Sequence, residues 1–189
     1  MPTPHRTSLE AIITAGRDLL ETNGLEGLTM QAVADRVGVR PPSLYKRVRN
    51  RSDLIALVAD ATTRDLGLRL DAAADEPGGT PQVRLRRLAD TARRFAHERP
   101  AGFRLVFAPT VDARVGDDAL AAASASVLRV AGELAGDDHA LDAARTFTAW
   151  TNGFVSMELA GAFRLGGDVD RAFDFGIERL AAAVARPSA

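Results

Sequence analysis

A chain of 189 residues, of which 46% are hydrophobic, is long enough to bury a core and too apolar for a disordered segment. A formal net charge of −1 gives no bulk attraction to nucleic acid, and the absence of cysteine excludes disulfides and thiolate metal sites. His5, His97 and His139 lie too far apart to share zinc-ligand spacing, so no metal or other cofactor is expected.

The charge is unevenly spread. Residues 1–58 hold eight bases and six acids, a surplus of +2, which leaves −3 for the remainder. A mildly basic head on a mildly acidic body suits a protein that meets DNA at one end. The N-terminus carries no apolar signal segment and no apolar run reaches bilayer length, so a cytoplasmic protein without membrane contact is expected.

In chain order, Pro2 and Pro4 oppose regular structure in an N-terminal arm that carries Arg6. Thr7-Ser8-Leu9-Glu10 reads as a capping box. The helix it opens sets Leu9, Ile12, Gly16, Leu19 and Leu20 on one side and stops at Asn23-Gly24.

Residues 29–48 form the most informative stretch. Thr29 is a helix N-cap, and Met30, Val33 and Val37 follow at helical spacing. Gly38 stands where a helix end needs a left-handed residue, and Val39 plugs the turn. Pro41 suits a first helical turn, and the second helix runs through Leu44 and Val48 on its inner side. Arg36, Arg40, Lys46, Arg47, Arg49 and Arg51 fall in an interval without an acid. Two short helices, a tight turn and a one-signed basic surface together point to a helix-turn-helix with a phosphate-facing footprint.

Asn50 to Asp53 caps the next helix, which is expected to continue through Leu54, Leu57, Val58, Ala61 and Leu68 to about Ala74. Asp75 to Thr80 is the clearest linker. A helix from Pro81 sets Leu85, Leu88, Ala92 and Phe95 inside and ends before Pro100. A short apolar piece, Phe103 to Phe107, leads into a loop at 109–116. Helices are expected at roughly 117–135, 137–163 and from Asp170 onward, the last with Phe173, Ile177, Leu180 and Val184 on one face. No strand pattern and no repeat is visible, so the fold class is all-α.

From Gly24 to Leu57 these residues resemble the TetR family of bacterial transcription regulators. The resemblance rests on Leu28-Thr29 at the helix start, Gly38-Val39 in the turn, Leu44-Tyr45 in the second helix, and Asn50-Arg51-Ser52-Asp53-Leu54 after it. The segment Asn152 to Gly161 also resembles a C-terminal subtype marked by tryptophan and His-Gly, with Asn152 in the histidine position. Arg40-Pro41-Pro42 departs from the small hydroxyl residue that caps the second helix in many relatives.

The resemblance implies a three-helix DNA-binding head at residues 7–52 and a helical body at 53–186 for effector binding and dimerisation. Its implied partners are a double-stranded DNA operator, a small effector and a second copy of the chain. Expected DNA contacts are Thr29, Gln31, Arg40, Pro41, Ser43, Tyr45, Lys46 and Arg47. Phe95, Phe103, Phe107, Trp150 and Phe154 are the expected effector contacts, which favours an apolar or aromatic molecule. Val155, Leu159, Phe173, Ile177 and Leu180 are the expected dimer seam. The implied role is a repressor released from an inverted-repeat operator when effector binding shifts the population of head spacings.

Two other functional classes compare poorly with these residues. A catalytic role finds no support, because Asp117-Asp118 and Asp137-Asp138 sit at helix starts and no serine or histidine has a partner at useful spacing. A helical ligand- or protein-binding module without DNA function is the alternative, and the intact basic interval argues against it.

Overall fold

The computed structural model describes residues 8–107 and 115–186, and these are helical with no strand among them. The helices are α1 (Leu9–Gly27), α2 (Met30–Val37), α3 (Pro41–Leu44), α4 (Arg51–Asp75), α5 (Pro81–Glu98), α6 (Pro100–Phe107), α7 (Asp117–Ala135), α8 (Ala140–Leu159) and α9 (Val169–Val184). A single 3-10 turn, Asp137–His139, precedes α8. The expected N-terminal arm with Arg6, and residues 109–114 of the expected loop, lie outside the described residues.

The chain divides into two compact units. Among the described residues, the first holds 8–64, 99–107 and 115–120, and the second holds 65–98 and 121–186. Each is built on its own buried set.

In the first unit, Ile12, Leu19 and Leu20 of α1 meet Leu28, Val33, Leu44, Val48, Leu54, Ile55 and Val58 in one cluster. Leu105 of α6 belongs to the same cluster. Helices α1 and α4 approach closely at Gly16, where an added Cβ would stand 2.7 Å from Val58 Cγ2. Helix α1 begins one residue later than the expected box. Ser8, not Thr7, is the N-cap, its hydroxyl accepting from Ala11 N at 3.1 Å. The expected stop is present as a break at Gly24, with φ of 69°, after which a short turn leads to Leu28.

In the second unit, α5 buries Leu85, Leu88, Ala89, Ala92, Phe95 and Ala96. Helices α8 and α9 pack on it and on each other. The buried stripe of α8 is Ala143, Ala144, Phe147, Thr151 and Val155. Phe173, Ile177 and Ala181 form that of α9. Gly176 lets α9 approach the ring of Trp150, since a Cβ there would fall 2.1 Å from the indole.

One expected boundary moves, and one apolar residue faces outward. Helix α8 ends at Leu159, four residues before the expected end at 163. Gly161 turns left-handed at φ 63°, and Gly161 N and Ala162 N close the helix on the carbonyls of Glu158 and Met157. Helix α9 starts at Val169 because Asp168 caps it, accepting from Arg171 N at 3.1 Å. In α4, Leu66 and Leu70 are buried while Leu68 is 71% exposed. Leu68 stands two residues from Leu66, which at about 100° per residue sets it on the opposite side of the helix.

A four-member charge cluster ties α5 to the ends of α8 and α9. Arg93 donates to both carboxylate oxygens of Glu158 and to Asp170, and its guanidinium lies 4.8 Å from the Phe173 ring centre. His97 Nε2 stands 3.3 Å from Glu158. The Arg93 hydrogen bond, with help from His97, holds the Glu158 carboxyl below its ordinary value.

Candidate DNA-binding surface

The surface is built by local rules acting in series. Thr29 opens α2, its Oγ1 accepting from Ala32 N at 3.1 Å. Met30, Val33 and Ala34 bury that helix. At its end Gly38 adopts φ 73° and ψ 39°. Val39 N then donates to Ala34 O at 2.9 Å and Gly38 N to Asp35 O at 3.2 Å, a Schellman pair that stops α2 and redirects the chain.

Helix α3 follows with Arg40 as N-cap and no side-chain capping bond. Proline supplies the start instead, since its fixed φ suits the first turn and its missing N–H is no loss there. Regular helix covers only Pro41–Leu44, shorter than the expected run to Val48. The chain still turns in helical fashion beyond it, with Val48 N donating to Leu44 O at 2.9 Å. Leu44 and Val48 are fully buried, so the opposite side is committed outward.

That outward side carries the basic residues. Arg40, Pro42, Tyr45, Lys46 and Arg47 are exposed, Tyr45 by 55%. Pro41 and Ser43 are half-buried. Pro42, which was not among the expected contacts, is therefore more available than Pro41. The exposed state of Tyr45 separates it from a core tyrosine. On α2, Gln31 is exposed but its amide is engaged, donating to Asp35 Oδ1 at 2.8 Å. Thr29 is half-buried and its hydroxyl serves the cap.

Two of the basic residues counted from sequence do other work. Arg51 turns inward, its Nε donating to Leu28 O at 2.8 Å and its Nη2 to Leu25 O at 2.6 Å. It pins the α1–α2 turn rather than facing phosphate. Arg49 folds onto Asp53, whose carboxylate accepts from both the Arg49 guanidinium and the Arg49 backbone N at 2.9 Å. That side-chain bond pushes the Asp53 carboxyl down. Asn50 completes the α4 cap by accepting from Asp53 N at 2.8 Å. Sequence counting sees charge and cannot see which carbonyls lie within an arginine's reach.

The expected effector residues fall into both units. Phe103 and Phe107 pair in the first, ring centres 4.7 Å apart. Phe95, Trp150 and Phe154 belong to the second. Trp150 and Phe154 stack at 5.5 Å and share a ring cluster with Phe173 and Phe163. Phe95 and Phe103 are fully enclosed, whereas Trp150 and Phe154 keep partial exposure. Two open grooves of the second unit are lined differently. One, of about 420 Å³, is bordered by Arg69, Glu76, Arg87, Asp90 and Arg94. The other, of about 470 Å³, is bordered by Asp90, Arg93, Arg94, His97, Glu158 and Asp170.

The expected dimer residues divide as well. Val155, Phe173 and Ile177 are at most 1% exposed within a single chain, so they have no surface left to offer a partner. Their stripe is spent joining α5, α8 and α9 of one protomer. Leu159 and Leu180 are half-buried. The outward faces of the same two helices carry Ala149, Gly153, Ser156 and Met157 on α8 and Phe175, Arg179 and Ala182 on α9.

Comparison with known proteins places this geometry. Residues 12–58 match the family model described as bacterial regulatory proteins, tetR family, and residues 85–180 match the tetracyclin repressor-like C-terminal domain. The chain is 33% identical to the tetracycline repressor protein class A from transposon 1721 of Escherichia coli, over 85% of this chain and 73% of that protein. It is 29% identical to an uncharacterised HTH-type transcriptional regulator of Mycobacterium tuberculosis, over 97% of this chain and 84% of the relative. The crystal structure of a TetR variant from Acinetobacter baumannii AYE in complex with minocycline shares the fold, with a TM-score of 0.68 at 24% identity over 93% and 95% of the two chains.

Proposed function

The chain belongs to the TetR family of transcription regulators, and from that premise we propose that it is a repressor that grips an inverted-repeat operator as a homodimer in the cytoplasm. The observation that carries the reading is the outward row Arg40, Pro42, Tyr45, Lys46 and Arg47, held rigid by the Gly38 turn and by buried Leu44 and Val48. A guanidinium or ammonium at the groove can address guanine O6 and N7 or phosphate oxygens, and the Tyr45 ring can lie along the sugar-phosphate backbone.

Dimerisation follows from the arithmetic of recognition. One short helix reads few bases, whereas two held about 34–36 Å apart read an inverted repeat across one turn of DNA. The outward faces of α8 and α9 are the surfaces available for the subunit contact. The likeness to a tetracycline repressor supports repression as the sign of control.

In this reading a small apolar or aromatic effector releases the operator. The half-buried rings of Trp150 and Phe154, within a cluster of four aromatics, support that choice. The effector binds the non-operator shape more tightly, and the shift can be no larger than that difference in affinity.

The test is fluorescence anisotropy on duplexes tiled across the DNA flanking the protein's own gene. One duplex should bind far more tightly than the rest, with affinity falling steeply as salt rises. Equal, salt-insensitive binding to every duplex would refute the proposal.

A further inference from the structure

Of the 24 lysine and arginine residues in the chain, only residue 46 is lysine. The distinction is chemical. A guanidinium stays protonated at physiological pH and offers no lone pair, whereas a lysine ammonium exchanges its proton and the free amine attacks activated carbonyl groups. Acylation of a side-chain amine therefore has one address in this protein. That address lies on the outward row of residues 40–47.

The structure leaves the amine available. Lys46 is exposed, and among the described residues it has neither an ion pair nor a hydrogen bond. The acids that bracket it in sequence are engaged elsewhere. Asp35 accepts from Gln31 Nε2 at 2.8 Å, and Asp53 accepts from the Arg49 guanidinium and backbone N. Arg40 and Arg47 are exposed on the same stretch, so the local field has one sign and draws anions. Beneath them Leu44 and Val48 are fully buried, so a change at the tip of residue 46 leaves the packing untouched.

We propose that Lys46 is an acylation site through which an acyl phosphate, an anionic activated carboxylic acid, weakens the grip on the operator. The proposal rests on the operator-binding reading above. The Nζ lone pair adds to the acyl carbon, the bond from that carbon to the phosphate oxygen breaks, and inorganic phosphate leaves with the electron pair. The nitrogen gives its surplus proton to water and an amide remains. The cation is lost and the side chain grows. In a dimer on an inverted repeat the loss counts twice, once at each half-site.

Acetyl phosphate is the probe, with mass spectrometry of the full-length protein and anisotropy on the operator duplex as readouts. Acetyl should accumulate on the peptide that holds residue 46, and operator should shield that position from labelling. The acetylated protein should bind operator about tenfold or more weakly, with a salt slope shallower by about two and an unchanged thermal melt. Lys46→Arg keeps a cation but has no amine to acylate. Its own operator affinity, whatever its value, should be the same before and after treatment. No acetyl at residue 46 would overturn the proposal, as would labelling that operator fails to shield. An acetylated protein that binds as the untreated one does would overturn it too, and so would treated Lys46→Arg weakening by the same factor as treated wild type. Untreated protein that favours no duplex would instead sink the operator-binding reading, and this inference with it.

Discussion

Arg51 Nε donates to Leu28 O at 2.8 Å, and this bond separates the arginines that build the DNA-binding unit from those that face outward. Leu28 is the last residue before the α2 cap and is fully buried. With Leu25 O bonded as well, the guanidinium closes the turn that sets the direction of α2. Hydrogen bonds to a charged group contribute about 1.5–3 kcal/mol each at most. Arg51→Ala should therefore lower stability by about 1–3 kcal/mol, read as a shift in the urea midpoint. An unchanged midpoint would mean that the turn holds without it.

Lys46→Ala should act in the opposite way. The side chain is exposed and has no ion pair within reach among the described residues, so the thermal melt should barely move. Operator affinity should fall, and the slope of log affinity against log salt should drop by about one if Lys46 meets a phosphate. Paired measurement of melting and binding distinguishes this residue from Arg51 in a single experiment.

Gly38 offers a test of the turn alone. Nothing lies within 4 Å of an added Cβ, so the cost of Gly38→Ala comes from the backbone at φ 73° rather than from a clash. That cost should be about 1–2 kcal/mol, and Gly38→Asn should recover part of it because asparagine tolerates the left-handed region. Equal loss in both variants, measured by denaturant unfolding, would point to side-chain crowding instead.

Helices α5, α8 and α9 carry a pH-dependent contribution. Bonding to Arg93 lowers the Glu158 carboxyl, so this contact stabilises the fold above the ordinary glutamate value and is lost as pH falls through the lowered one. Asp90 works against it: burial raises its carboxyl, so its charged form costs stability at neutral pH and the cost fades on acidification. The expected outcome for Glu158→Gln is lower stability at pH 7 and a flatter loss of stability below about pH 4. A parallel acid profile for wild type and variant would show that Glu158 adds nothing.

Local chemistry made much of this legible before the fold was known. Thr29, Gly38 and Pro41 act within a few residues of themselves, so their roles follow from neighbours in sequence. The same holds for the Asn50–Asp53 cap. What could not be read depends on distance. Arg51 and Arg49 count equally as charge, and only the positions of Leu28 O and the Asp53 carboxylate reveal that both are occupied. The Glu21 carboxylate accepts from Ala101 N and Gly102 N, about eighty residues away, and no periodicity links them. The stripe Phe173-Ile177 was visible as apolar, but an apolar stripe does not say which neighbour covers it. Here α5 and α8 of the same chain do, leaving the outward faces for any partner. The apolar pattern runs on to Phe163 without a break in composition, whereas Gly161 ends that helix by its left-handed backbone.

The most direct measurement is a nuclease footprint of the wild type and of the Lys46→Ala, Arg47→Ala double variant on the DNA flanking the protein's own gene, with stoichiometry taken from the same titration. The expected result is one protected inverted repeat, two chains per repeat, and loss of protection in the double variant although both proteins melt alike. A repeat protected equally by both proteins, or no protected segment at all, would contradict the claim that the outward face of residues 40–47 is what this protein presents to DNA.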